Sequence, residues 1–195
     1  MCIRDRINYL FFYPYNADIV DKDHLLAKTV NAESDTINLL SPYALGSHEG
    51  DWEYFAIEYD DDKKEIGRAF YSAHASEGKW YDEGKYPKDQ ERPKVYVANK
   101  SHANYTEIGS HKRSIKLFDF SIDTDIIPAD ETSDQGSQWD CKGRLKFLHQ
   151  IKPKWLNFNG RWGRFDDPDW LRFGKPPHGP ATKGYWGIPT PTGTP

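Results

Sequence analysis

Across 51–59 the chain alternates strictly. Phe55, Ile57 and Tyr59 fall on one side of an extended strand, and Trp52, Tyr54 and Ala56 fall on the other. The charged run Asp60-Asp61-Asp62-Lys63-Lys64 reads as a turn, and 66–74 as the returning arm of a β-hairpin. A turn centred between Asp62 and Lys63 predicts Phe55 opposite Phe70, Tyr59 opposite Ile66 and Asp51 opposite His74. Upstream, Ile7-Asn8-Tyr9-Leu10-Phe11-Phe12-Tyr13-Pro14 reads as a buried strand ended by its proline. Further short strands are predicted over 94–98, 115–120 and 122–127, with 77–92 as a polar loop. The best helical stretch lies within 21–40, where Asp21-Lys22-Asp23 precedes His24, Leu25, Leu26, Ala27 and Val30. Many short strands punctuated by Gly and Pro predict an all-β fold: a β-sandwich or jelly-roll-like single domain with long loops and one short helix.

Composition narrows the class. The 195 residues include 7 Trp, 12 Tyr and 10 Phe, an aromatic load that disordered chains lack. A chain of this length suits one domain, and no apolar run approaches the roughly 20 residues of a transmembrane helix. The net charge of −4 provides no whole-molecule attraction for nucleic acid or anionic lipid. Charge is nevertheless segregated. Seven carboxylates and no Lys or Arg lie between Asp119 and Asp140, whereas nine Lys or Arg face three Asp over 142–175. The reading adopted for the basic, aromatic segment is that its Trp residues are core and its Arg residues pair with the acidic loop. Cys2 and Cys141 are too few for a disulfide framework. The charged opening 1–6 reads as a spurious leader, 7–187 as the domain, and the Pro/Thr-rich 188–195 as a disordered tail.

Chemistry concentrates in Gly46-Ser47-His48-Glu49-Gly50-Asp51-Trp52-Glu53. Asp51 and Glu53 share the strand face of Phe55 and Ile57. Two carboxylates at the rim of an apolar face repel one another and lose hydration, so a cation or a basic group must compensate them. His74 enters through the hairpin, and His102 follows the strand at 94–98. An oxygen-led site would suit Ca²⁺, Mg²⁺ or Mn²⁺, and added imidazoles would tilt it towards Zn²⁺ or Fe²⁺. The competing structural reading has the carboxylates capping backbone amides and both histidines hydrogen-bonded at the rim. No Gly-x-Ser-x-Gly elbow, phosphate-binding loop or dinucleotide fingerprint is present.

With these motifs in view, the chain resembles the vacuolar protein sorting-associated protein 62 family. The resemblance runs through Phe11-Phe12-Tyr13-Pro14-Tyr15-Asn16, the signature Gly46-x-His48-x-Gly50-Asp51-Trp52-Glu53, Phe70-Tyr71-Ser72-Ala73-His74 and Val95-Tyr96-Val97-Ala98. It continues in Ser101-His102-Ala103, Phe158-x-Gly160-Arg161-Trp162-Gly163, and Gly179-Pro180 followed by Trp186. Carried over, the family name implies a role in delivering proteins to the vacuole. The signature is also similar, more distantly, to that of the necrosis-inducing proteins, secreted β-sandwich toxins that hold a divalent cation and bind glycolipid head groups. Aligned on Asp-Trp-Glu, the ligands of that family fall on His48, Asp51 and Glu53, while its upstream Asp falls on Leu40, which cannot ligate.

Together these readings predict a divalent-cation site on His48, Asp51, Glu53 and His74, with Ca²⁺ or Mg²⁺ favoured and Zn²⁺ or Mn²⁺ as alternatives. His102, Trp52, Asn104 and Tyr105 would support the site or stack on its ligand. The leading expectation is binding of a glycan or lipid head group rather than turnover. The rivals are a metal-dependent hydrolase using the same site and a non-catalytic sorting scaffold. No nucleic-acid partner and no transmembrane segment is expected.

Overall fold

The computed structural model describes residues 4–16, 48–74, 78–112, 115–117, 120–122, 129–143, 145–163 and 176–182. The predicted helix within 21–40 and the tail 188–195 lie outside the described residues. Those described form an all-β, antiparallel structure whose only α-helix is the four-residue α1, Leu148–Ile151.

The organising unit is a four-stranded meander with strand order β1-β2-β3-β4: β1 Arg4–Asn16, β2 His48–Asp60, β3 Glu65–Tyr71 and β4 Lys79–Asp82. Strand β1 does not stop at Pro14. It lies at the sheet edge, where a missing N–H breaks no central ladder, and pairing resumes with Tyr15 opposite Glu49. At its other end Arg4, Asp5 and Arg6 pair with Asp60, Tyr59 and Glu58, so the strand includes half of the predicted leader.

Two-stranded ladders surround this sheet. Strand β5 (Lys88–Asp89) pairs with β6 (Arg92–Pro93), and β7 (Tyr96–Val97) with β8 (Asn104–Tyr105). Strand β9 (Gly109–His111) pairs with β12 (Asp130–Thr132), and β10 (Ile115–Leu117) with β11 (Phe120–Ile122). The polar loop predicted over 77–92 is therefore partly strand: β4 supplies Trp80 and Tyr81 to pair with Phe70 and Ala69.

The charged turn forms as predicted. The Asp60 carboxylate accepts the backbone amides of Asp62 (3.1 Å) and Lys63 (3.2 Å), closing the turn from within. Tyr59 faces Ile66, but a bulge between Glu58 and Tyr59 absorbs Gly67 and shifts every later pair by one. Phe55 thus faces Tyr71 rather than Phe70, and Ile57 faces Ala69. Arg68 then lies opposite Glu58 and grips its carboxylate with two hydrogen bonds of 2.7 and 2.8 Å. The predicted apposition of Asp51 and His74 is lost: β3 ends at Tyr71, and the two residues find separate partners.

Both faces of β2 are covered, as its double alternation requires. Phe55 and Ile57 pack with Ala69, Tyr71 and Tyr86 on one face. On the other, Trp52, Tyr54 and Ala56 meet Trp155 and Trp162, delivered from about a hundred residues downstream. Backbone approach fixes that second layer. Gly50 sits at φ +70°, where a Cβ would overlap the Trp162 carbonyl, and a Cβ at Gly163 would overlap the Glu49 carbonyl.

Candidate functional site

The N-terminal half of β2 and the 159–163 and 176–182 segments enclose a cleft of about 560 Å³. Asn16, His48, Asp51, Glu53, His74 and His178 contribute its polar lining. The sequence-predicted His48, Asp51, Glu53 and His74 all reach this cleft, and each has a partner of its own. His48 donates from Nδ1 to the Gly50 carbonyl at 2.7 Å, which leaves Nε2 as the unprotonated nitrogen of the neutral ring. Glu53 accepts the Ser72 hydroxyl, which also receives the Asn104 side-chain amide at 2.9 Å.

Two buried carboxylates organise the histidines. Asp51, 6% exposed, accepts His102 Nδ1 at 3.1 Å and Asn16 Nδ2 at 3.4 Å, both on Oδ2. Asp130, 3% exposed, accepts His74 Nε2 (2.6 Å), Tyr105 Oη (2.8 Å) and Ser101 Oγ (2.7 Å). His74 is therefore a partner of Asp130 on β12, not a cross-strand support for Asp51. The two centres are joined by the tight turn between β7 and β8, where neighbouring Ser101 and His102 serve different carboxylates. Closing that turn places His102 at φ +60° and Lys100 at φ +74°, conformations that cost energy for residues bearing a Cβ.

Tyr13 faces Asp51 across the β1–β2 ladder and stacks on the His102 ring at 3.9 Å, with planes 3° apart. Burial, then the Glu53 and Asp51 carboxylates, push its phenol up to about 12, so it remains a neutral, packed wall.

The remaining sequence-predicted residues are held by packing and hydrogen bonds, and of them Trp52 also lines the cleft. Trp52, expected at the rim to stack on a ligand, is only 6% exposed and packs against Phe12, Trp155 and Trp162. Its odd-even position turns it to the sheet face opposite Asp51 and Glu53. Asn104 is 1% exposed and ties Ser72 to the Tyr54 carbonyl. Tyr105 stacks on His111 at 3.7 Å while binding Asp130.

Sequence reasoning missed Asn16, Asp130 and His178 as site residues. Asp130 was submerged in a run of seven carboxylates, and only its place two residues before Thr132 in an alternating strand distinguishes it. His178 reaches the cleft through an isolated bridge to Arg161, and its Nδ1 donates to the Asn159 carbonyl at 3.2 Å.

A cation would have to be held largely by oxygen. No group of three or more His, Cys, Asp or Glu side chains among the described residues is arranged to hold a metal ion. The donor chemistry that fits is that of Asp51 and Asn16. Asn16 Oδ1 is buried with no hydrogen-bond partner among the described residues, next to a carboxylate on the cleft wall.

Residues 7–166 match the family described as vacuolar protein sorting-associated protein 62. The chain belongs to that family. Two yeast (Saccharomyces cerevisiae) members of the vacuolar protein sorting-associated group are similar to it. The putative vacuolar protein sorting-associated protein TDA6 is 25% identical over 189 residues, covering 80% of this chain and 34% of the relative. Vacuolar protein sorting-associated protein 62 is 24% identical over 157 residues, covering 63% of this chain and 31% of the relative. The chain thus spans about a third of the length of these curated relatives. No solved structure matches it. The matched 7–166 region contains β2, both carboxylate centres and the tight turn that joins them.

Proposed function

We propose that the cleft is a binding site for a polyhydroxylated group, a glycan or a lipid head group, completed by a divalent cation. The observation that carries this reading is the orphaned Asn16 Oδ1 beside Asp51. Leaving a buried acceptor unsatisfied costs about 1–3 kcal/mol, which a cation or a ligand hydroxyl at that position would recover. Asp51 and Asn16 would hold the ion, and the ligand's own hydroxyls would complete its coordination. When bound, the ion would supply the positive charge that two nearby carboxylates call for and an attachment point for paired hydroxyls. Asp51 is steadied for this by His102, and His102 by its stack on Tyr13. For a sorting-related family member, recognition of a glycan or head group would mark a cargo or a membrane.

Titration calorimetry with Ca²⁺, Mg²⁺, Mn²⁺ and Zn²⁺ tests the first half of the proposal. A glycan array and soluble head groups, each with and without chelator, test the second. We expect one cation to bind and Asp51→Asn to weaken it roughly tenfold or more. Absence of heat with every cation, together with no chelator-sensitive ligand, rejects the proposal. A second reading, hydrolysis, draws on the imidazole of His74, which Asp130 orients at the cleft wall as a general base would require. Chelator-sensitive turnover of ester or phosphate substrates that disappears in His74→Gln would decide for it.

A further inference from the structure

Ten large hydrophobic side chains are exposed among the described residues, and five of them (Trp139, Leu145, Phe147, Ile151 and Phe158) lie within twenty residues of sequence. Trp139, Leu145 and Phe147 line an apolar groove of about 450 Å³ together with Ile7, Phe12 and Lys146 on the β1 side of the sheet. A soluble surface disperses such side chains; gathering them marks a docking face. The charge around them is one-sided. Residues 141–163 hold six Lys or Arg and no Asp or Glu, in a chain whose net charge is −4. Lys142, Lys146, Lys152, Lys154 and Arg161 are all exposed. Arg161, expected to pair with the acidic loop, instead donates to the Pro176 carbonyl at 2.8 Å. Asp140, the nearest carboxylate in sequence, is bonded by the Arg92 guanidinium at 2.9 Å and the Lys142 backbone amide at 2.8 Å.

We propose that this face docks on an anionic lipid bilayer, with Trp139, Leu145, Phe147 and Ile151 entering the interfacial layer and the lysines contacting the head groups. The pairing of exposed bulky apolar side chains with long basic ones is what such an interface selects. Apolar groups gain by leaving water, while Lys keeps its charge in the head-group plane and lays its stem along the apolar surface. Whole-molecule charge opposes approach to an anionic membrane, so the attraction is local and acts within a Debye length of the surface. The groove wraps the β1 edge, with Trp139 against Phe11 on one side and Trp52, Trp155 and Trp162 on the other, and none of the cleft's polar residues lines it.

The intact chain is sedimented with vesicles of phosphatidylcholine alone and of phosphatidylcholine mixed with phosphatidylserine, at low and high salt, while tryptophan emission is followed. Binding is expected only with phosphatidylserine, weakened by salt and accompanied by a shift of emission to shorter wavelength. The triple variant Lys142→Glu, Lys146→Glu, Lys152→Glu should bind at least about tenfold more weakly. Leu145→Ser with Phe147→Ser should reduce both binding and the emission shift. All five positions are exposed, so circular dichroism should match the parent chain. Binding should persist in chelator. Equal binding to both vesicle types, no binding to either, or an unaffected triple variant overturns the proposal. So does loss of vesicle binding in chelator, which would assign the lipid contact to the cation site of the cleft, or a lipid-independent dimer that the Leu145→Ser, Phe147→Ser variant dissociates.

Discussion

Asp130 carries a carboxylate into a nearly closed site, and His74, Ser101 and Tyr105 converge on it. Removing the carboxylate strands three donors at once, the buried Ser101 hydroxyl and the half-buried His74 and Tyr105. Asp130→Ala should therefore cost about 2–4 kcal/mol of stability, read as a lowered urea midpoint at unchanged slope. Asp130→Asn keeps one acceptor oxygen and should cost less. Tyr13 makes a different prediction, about pH. Its folded-state phenol ionises at about 12, against 10.0 for the unperturbed side chain. Between those values the unfolded chain has released its proton and the folded chain has not, so stability falls as pH rises through that window. Burial pushes Tyr71 and Tyr86 in the same direction, and they steepen the loss. Tyr13→Phe, which keeps the ring against His102, should flatten the alkaline decline in denaturation midpoint while leaving the neutral-pH midpoint within about 1 kcal/mol of the parent.

Among the elements, β2 shows what a single sequence reveals about pairing and what it hides. Alternation over 51–59 made the strand and both of its faces legible, because burial on two sides writes itself into every position. The turn was legible for the same local reason: Asp60 folds back onto its own amides. The register was legible only as far as Tyr59 and Ile66. Gly67 then enters a bulge whose reward, the bidentate Glu58–Arg68 pair, is cross-strand and leaves no periodic trace. One residue of slip was enough to separate His74 from Asp51. The start of β2 carries a sharper dependence. Gly50 combines a positive φ with direct backbone contact against Trp162, so Gly50→Ala adds conformational strain and a clash with no flexible atom to yield. We expect a loss of about 2–4 kcal/mol in denaturant unfolding and a change in tryptophan emission as the 159–163 segment lifts from the sheet.

At the scale of the whole molecule, the two faces of the sheet are closed by chain of very different sequence distance. Tyr86 and Val95 cover the Phe55 face from within about forty residues, whereas Trp155 and Trp162 cover the Trp52 face from about a hundred away. Apolar periodicity announces that a face needs covering but not which distant segment covers it, and the far wall of the cleft, with His178, was illegible for that reason. The closure turns on Trp162. Its ring lies 5.1 Å from Trp52 and 5.4 Å from Phe12, its amide donates to the Pro177 carbonyl, and Gly179 packs so closely on the indole that a Cβ there would overlap it. Trp162→Ala should therefore act twice: a loss of about 2–4 kcal/mol from the aromatic layer, and a cleft whose Asn159 and His178 wall is no longer anchored to β2. A matched control separates the two effects. Tyr86→Phe removes hydrogen bonds to the Ile66 carbonyl and Glu83 on the opposite face and should cost about 1 kcal/mol without touching the cleft. Cation titration of both variants, at a temperature where each is folded, should find Tyr86→Phe indistinguishable from the parent and Trp162→Ala weakened. Equal affinities would mean that the site is complete on β2 and its neighbours, and that the distant segment serves stability alone.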